Sequence, residues 1–152
     1  MPNVKEKREL EEEFFFSEIY KNTKMGAEAI INLLPHVKED AIRSLMTQQL
    51  DGYEKYAARA AKQLECRGVT PKEENIFTRL GARVGMALNT MMDSTTSHIA
   101  EMMVEGSNMG ITDMTKLLNS FEVQGNAVDA VRLAREVVAF EEHNLEMLKR
   151  FL

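Results

Sequence analysis

Glu141 is the residue in this 152-residue chain whose placement most invites chemistry, because it interrupts an otherwise apolar helical stripe. Ala134, Val138, Leu145, Leu148 and Leu152 recur at helical spacing, and Glu141 fills the slot between Val138 and Leu145. A carboxyl at that position is expected to be buried. Burial without partners is costly, so it predicts hydrogen bonds from the hydroxyls of Tyr53 or Tyr56, or a raised pKa. The other side chains able to do chemistry fall elsewhere. His98, Glu101 and Glu105 have the spacing of metal ligands on a helix, yet at about 100° per residue they lie on the side opposite Met103, Gly110 and Leu117, a solvated face. Asp51 and Glu54 flank Tyr53 as rim residues, and Glu28 points away from its helix stripe. The 11 methionines, among them Met25, Met46, Met103, Met109 and Met114, are spaced as core fillers rather than clustered as copper ligands. Cys66 has no His pair or glycine-rich elbow to activate it as a nucleophile.

These positions need helices to hold them. Helix-favouring residues dominate, and the three prolines, Pro2, Pro35 and Pro71, stand where helices can begin or end. Residues 10–34 place Phe16, Ile19, Tyr20, Thr23, Ala27, Ile30 and Leu34 on one face, with Pro35 as the stop. A second helix runs from Glu39 through Ile42, Leu45, Gln49, Tyr53, Tyr56, Ala60 and Leu64 to a left-handed cap at Gly68. Thr70-Pro71-Lys72-Glu73 reads as a capping box that opens a connecting helix, with Phe77, Leu80, Val84, Leu88 and Met91 as its stripe. That helix breaks near Asp93 and the run Ser94 to Ser97. A third long helix turns Met103, Gly110, Met114, Leu117 and Phe121 inward. After a turn at Gln124-Gly125-Asn126, Asn126 caps the fourth. The expected architecture is all-α: one domain over residues 1–152, an antiparallel four-helix bundle with a long crossover between helices 2 and 3, and residues 1–9 as a charged, partly ordered extension.

The net charge of −5 and the absence of a basic block argue against nucleic-acid binding. The apolar runs are too short to span a bilayer. A single cysteine and no secretory pattern at the N-terminus point to the cytoplasm. Phe14-Phe15-Phe16 cannot all enter one stripe. Phe14, Phe15 and the connector glycines Gly81 and Gly85, one turn apart, are therefore candidate subunit-contact positions. A homo-oligomer, with a dimer favoured, and a protein partner fit this pattern.

An internal repeat organises the whole chain. Asn22-Thr23-Lys24-Met25-Gly26 aligns with Gly106-Ser107-Asn108-Met109-Gly110, and Leu33-Leu34 with Leu117-Leu118. Helix 2 from Leu45 lays over helix 4 from Leu133, pairing Leu50 with Val138, Tyr53 with Glu141 and Tyr56 with Asn144. A duplicated helical hairpin with a crossover between the copies resembles the ferritin and rubrerythrin group, and Glu141-Glu142-His143-Asn144-Leu145-Glu146 looks like a worn form of its Glu-x-x-His helix. Within that group the chain is most similar to small bacterial ferritin-like domains of unassigned function. The resemblance implies a bundle whose active members bind two irons and handle oxygen or peroxide. Such a site needs a carboxylate from each of two helices and Glu-x-x-His from each of the other two. Here only Glu141 matches. Asn144 replaces the histidine, Tyr53 and Tyr56 stand at the helix 2 positions, and Thr23 and Ser107 stand where carboxylates belong. A register with His143 as ligand would pair it with Phe140. The expectation is a non-catalytic bundle of binding or structural role, without metal or cofactor, whose interior holds a polar ring of Thr23, Tyr53, Tyr56, Ser107, Glu141 and Asn144. The alternative is a metal-handling or peroxide- or oxygen-reducing oxidoreductase with an unconventional site drawn from Glu141, Asp51, Glu54 or His98.

Overall fold

A reciprocal cap starts the first helix earlier than its apolar stripe suggests. In the computed structural model, which describes residues 2–71, 94–122 and 127–152, the Asn3 side chain accepts from the Glu6 amide (2.9 Å) and the Glu6 carboxylate accepts from the Asn3 amide (3.2 Å). Two orphan donors are satisfied at once, and α1 runs Val4–Leu33. Residues 4–9, read from sequence as an extension, are thus its exposed first turns. A short 3-10 turn through Pro35, Leu34–His36, leads to α2, Asp40–Cys66. Gly68 ends α2 at φ +74°, with Val69 N–H donating to the Leu64 carbonyl and Gly68 N–H to that of Glu65, each at 2.9 Å. This is the left-handed termination for which glycine is suited. The Thr95 hydroxyl accepts from the His98 amide (3.3 Å) at the start of α3, Thr96–Glu122. Helix α4, Val128–Leu148, follows Ala127 in a left-handed conformation and closes with a 3-10 turn, Lys149–Phe151. The connecting helix with Gly81 and Gly85, the Asn126 cap and the Phe121 side chain lie outside the described residues.

Two apolar clusters fix the helix directions. One joins the N-terminal part of α1 (Phe15, Phe16, Ile19), the C-terminal part of α2 (Ala57, Ala60, Leu64), the end of α3 (Met114, Leu118) and the start of α4 (Ala130, Val131, Ala134). The other joins the opposite ends, with Ile30, Ile42, Met46, Ile99, Met103 and Leu148. Helices α1 and α4 therefore run one way, α2 and α3 the other. The chain leaves α2 at one end of the bundle and enters α3 at the other. Among the described residues there are four α-helices and no strand, and no helix is long and apolar enough to cross a membrane.

The repeat extends through the core. Phe15 and Ile99, Phe16 and Ala100, Ile19 and Met103, Thr23 and Ser107, and Ile30 and Met114 are all buried, as are Ile42 and Ala130, Met46 and Ala134, Gln49 and Val137, and Ala60 and Leu148. Each hairpin carries the same close fit. A Cβ on Gly26 would come within 2.4 Å of the Tyr53 ring, and a Cβ on Gly110 within 2.1 Å of the Glu141 carboxylate. The repeat-related Gly52 and Phe140 pack against each other, so an approximate twofold axis crosses the bundle between them.

Several expected core positions move by one residue, because a 3.6-residue helix drifts across a stripe read at 3.5. Leu33, Met46 and Leu118 are buried where Leu34, Leu45 and Leu117 were expected, and these three are half-buried. On α4 Val138 and Leu145 are half-buried and Leu152 is 58% exposed, with Val137 and Asn144 taking the inner side. Phe15 is fully buried with Phe16, while Phe14 is 51% exposed. That corrects Phe15 as a contact position: the core face of α1 meets more than one helix and is broad enough for two consecutive aromatics.

Replacing Gly68 by alanine forces a side chain into a left-handed position with no neighbour to compensate. Its expected cost is about 1 kcal/mol in a denaturant melt.

Candidate functional site

The middle of the bundle, between the two apolar clusters, is polar. Glu141 on α4 is 1% exposed. Its Oε1 accepts from Asn22 Nδ2 on α1 at 2.5 Å, and its Oε2 lies 3.3 Å from the Tyr53 hydroxyl on α2. Gly110 brings the α3 backbone directly against the same carboxyl, since any side chain there would collide with it. All four helices thus meet at one carboxyl group. Tyr53 is held by an edge-to-face contact with Phe140 (5.0 Å, 82°) and by the absence of a side chain on Gly26. Ser107 and Asn144 lie beside the Tyr53 hydroxyl, where both act to lower its pKa. Gln49 extends the cluster, donating to the Asn144 carbonyl at 3.4 Å. Gln49 Oε1 and Asn144 Nδ2 are buried without a well-formed partner.

Burial pushes the Glu141 carboxyl up to about 8; hydrogen bonds from Asn22 and Tyr53 pull the other way, and the Asp113 carboxylate on α3 adds repulsion. Burial, and next the charge of Glu141, likewise raise the Tyr53 phenol well above its ordinary value. Near neutral pH Glu141 is therefore mostly a neutral acid. The Asn22 amide donates to Oε1 and the Tyr53 hydroxyl to Oε2.

The positions expected from sequence separate into groups. Thr23, Tyr53, Ser107, Glu141 and Asn144 are buried, but Thr23 spends its hydroxyl on the Ile19 and Tyr20 carbonyls of its own helix (2.9 and 3.0 Å). Tyr56 is only half-buried. Its ring tilts against Phe140 (5.2 Å) and lies between the Lys55 and Arg59 cations at 5.8 and 5.5 Å, and Arg59 is paired with Glu136 at 2.7 Å. Its hydroxyl is not a partner of Glu141. Asp51 and Glu54 are exposed, and His98 Nδ1 lies 3.8 Å from Glu101 in a pair away from Glu141. Among the described residues no three His, Cys, Asp or Glu side chains converge on one point. Glu28, expected on the surface, is half-buried, and Cys66 is exposed.

Two contributors were not anticipated. Asn22 supplies the shortest contact to Glu141, and Gln49 joins the polar layer although its helix position was recognised as inward. A signal existed: Asn22 immediately precedes Thr23 in the repeat block, and an amide beside an inward threonine is a donor aimed near the core. Neither a family model, a curated protein nor a solved structure matches the chain.

The raised carboxyl makes a signed prediction. A folded pKa of about 8, above the ordinary glutamate value of 4.5, means that folding favours the protonated form. The stabilising contribution is complete below about pH 4.5 and is lost as pH rises through about 8, at roughly 1.4 kcal/mol per pH unit. Glu141→Gln keeps the shape and the Asn22 and Tyr53 contacts without the titration. It should match wild type near pH 4.5 and be the more stable protein at pH 8. Glu141→Ala should lose about 2–4 kcal/mol at low pH through a cavity and unpaired Asn22 and Tyr53 groups. Denaturant melts across this range check both. Gly110→Ala tests the fit against α3: despite alanine's better helix propensity, a net loss of about 1–3 kcal/mol is expected from overpacking.

Proposed function

We propose that this chain is a ferritin-like four-helix bundle with a non-catalytic binding or structural role, carrying a hydrogen-bonded polar layer where di-iron relatives hold metal. The duplicated hairpin, the reversed order of the second hairpin and the long link between α2 and α3 support that architecture. A single observation carries the functional reading. Among the described residues the interior offers one carboxyl, Glu141, whose two oxygens are engaged by Asn22 and Tyr53 and whose open side is closed by the Gly110 backbone. Two divalent ions need several carboxylates and imidazoles around them. Among the described buried polar residues Asn22, Thr23, Gln49, Ser107 and Asn144 are uncharged, and none is a histidine. Self-association as a dimer belongs to the same reading, with Phe14 contributing and Gly81 and Gly85 as the connector positions.

Untagged protein from cells grown with added iron, manganese and zinc should contain far less than one equivalent of metal by mass spectrometry. Two equivalents per chain, lost in Glu141→Gln, would establish the oxidoreductase or metal-handling alternative instead. Sedimentation should show a dimer at micromolar concentrations, weakened by Phe14→Ser; a clean monomer at high micromolar concentration removes that part of the reading.

A further inference from the structure

Helix α3 differs from the other three in what it offers Glu141. Helix α1 presents the Asn22 amide and α2 the Tyr53 hydroxyl, while α4 carries the carboxyl itself. Helix α3 presents backbone at Gly110 and no side-chain donor to the carboxyl. One turn earlier, Gly106 is exposed, and the place where its side chain would begin is open space. Between Gly106 and Gly110 the α3 wall is therefore thin on its glycine side. The groups acting on Glu141 are few. Among the described residues they are Asn22 from α1, Tyr53 from α2 and Asp113 from α3, and no described lysine, arginine or histidine is among them. Ser107 of α3 and Asn144 of α4 lie at Tyr53 and are uncharged. Among the described residues, a carboxylate in this position has two neutral donors, one charge of its own sign and no counter-ion.

We propose that α3 is a pH-operated latch: it closes over Glu141 as a neutral acid, and ionisation of Glu141 loosens the Gly106–Gly110 stretch so that water reaches the carboxylate. An ion in the interior is stabilised most cheaply by water, and water enters where the wall is thinnest. The other sides are held by side chains that already donate to the carboxyl and would lose that bond by moving. The latch does not depend on the bundle's ancestry or on whether a partner binds it.

Amide hydrogen exchange between pH 5.5 and 7.5 tests this, with opening constants taken after correction for intrinsic exchange rates. In the open form the carboxyl titrates near 4.3, in the closed form at about 8. Linkage then makes opening rise about tenfold per pH unit between those values and level off above. Residues 106–114 of wild type should open about a hundredfold more readily at pH 7.5 than at pH 5.5. The amides of α1 and α2 should rise much less, and Glu141→Gln should show no rise in α3. Asp113→Asn should shift the midpoint to lower pH. An equal rise in Glu141→Gln, a flat profile at 106–114, or an equal rise throughout α1 and α2 would overturn the latch. Carbon-13 titration of Glu141 in wild type provides a reading even if a variant folds poorly: a carboxyl titrating near 4.5 also overturns it. Metal content plays no part in these outcomes, so the latch and the metal-free reading fail separately.

Discussion

A carboxyl pressed against a helix backbone sets the terms for the rest of the bundle. The Glu141 side chain can reach the centre only because α3 has no Cβ at Gly110, and Tyr53 can reach it only because α1 has none at Gly26. Helix-interior glycine costs about 1 kcal/mol relative to alanine, so two such residues lower the stability of their own helices. The compensation lies in the two apolar clusters above and below, which bury large side chains such as Phe15, Phe16, Ile30, Ile42, Met46 and Leu148 completely or almost so. The bundle is held together at its ends and made specific at its middle.

Duplication explains why the middle has this form, and departures from duplication explain its chemistry. Both hairpins keep the glycine and the large partner beneath it, yet the partner is Tyr53 in one and Glu141 in the other. Asn22 in the first hairpin corresponds to Gly106 in the second, so only one of the two related positions supplies an amide. One acid, one amide donor and one phenol therefore meet across the approximate axis, where a symmetric centre would have carried two of each. Gly52 and Phe140 repeat the logic, since the missing side chain of one makes room for the ring of its counterpart.

Much of this architecture was legible in the sequence because helices announce themselves through periodicity and caps. Gly68 reads directly as a left-handed termination, and the repeat block beginning at Asn22 places the two hairpins in register. The inward slot of Glu141 follows from its stripe neighbours, Val138 three residues before and Leu145 four after. What the stripe could not give was rotation by one residue, which exchanged Leu33 for Leu34 and Val137 for Val138. Contacts between helices were harder still. The place of Asn22 beside Thr23 hints that it faces inward, but nothing local names its partner, which lies more than a hundred positions later. Tyr56 illustrates the reverse error: its spacing suits the interior, but Lys55 and Arg59 give its ring a better position at the rim. The capping box at Asn3 and Glu6 was readable and was obscured by the charge of the residues that follow.

The charge balance of the core connects the fold to the proposed role. A metal centre is a set of buried anions made tolerable by the cations they hold, and each carboxylate in it is ionised because the metal is there. Among the described residues Glu141 has neither a metal-like set of companions nor a basic side chain acting on it. The alternative open to a lone buried carboxyl is to keep its proton, and here burial outweighs the hydrogen bonds donated by the Asn22 amide and the Tyr53 hydroxyl. The same arrangement makes the interior poor at holding charge. By the proposed latch, that couples the packing of α3 at Gly110 to a single proton.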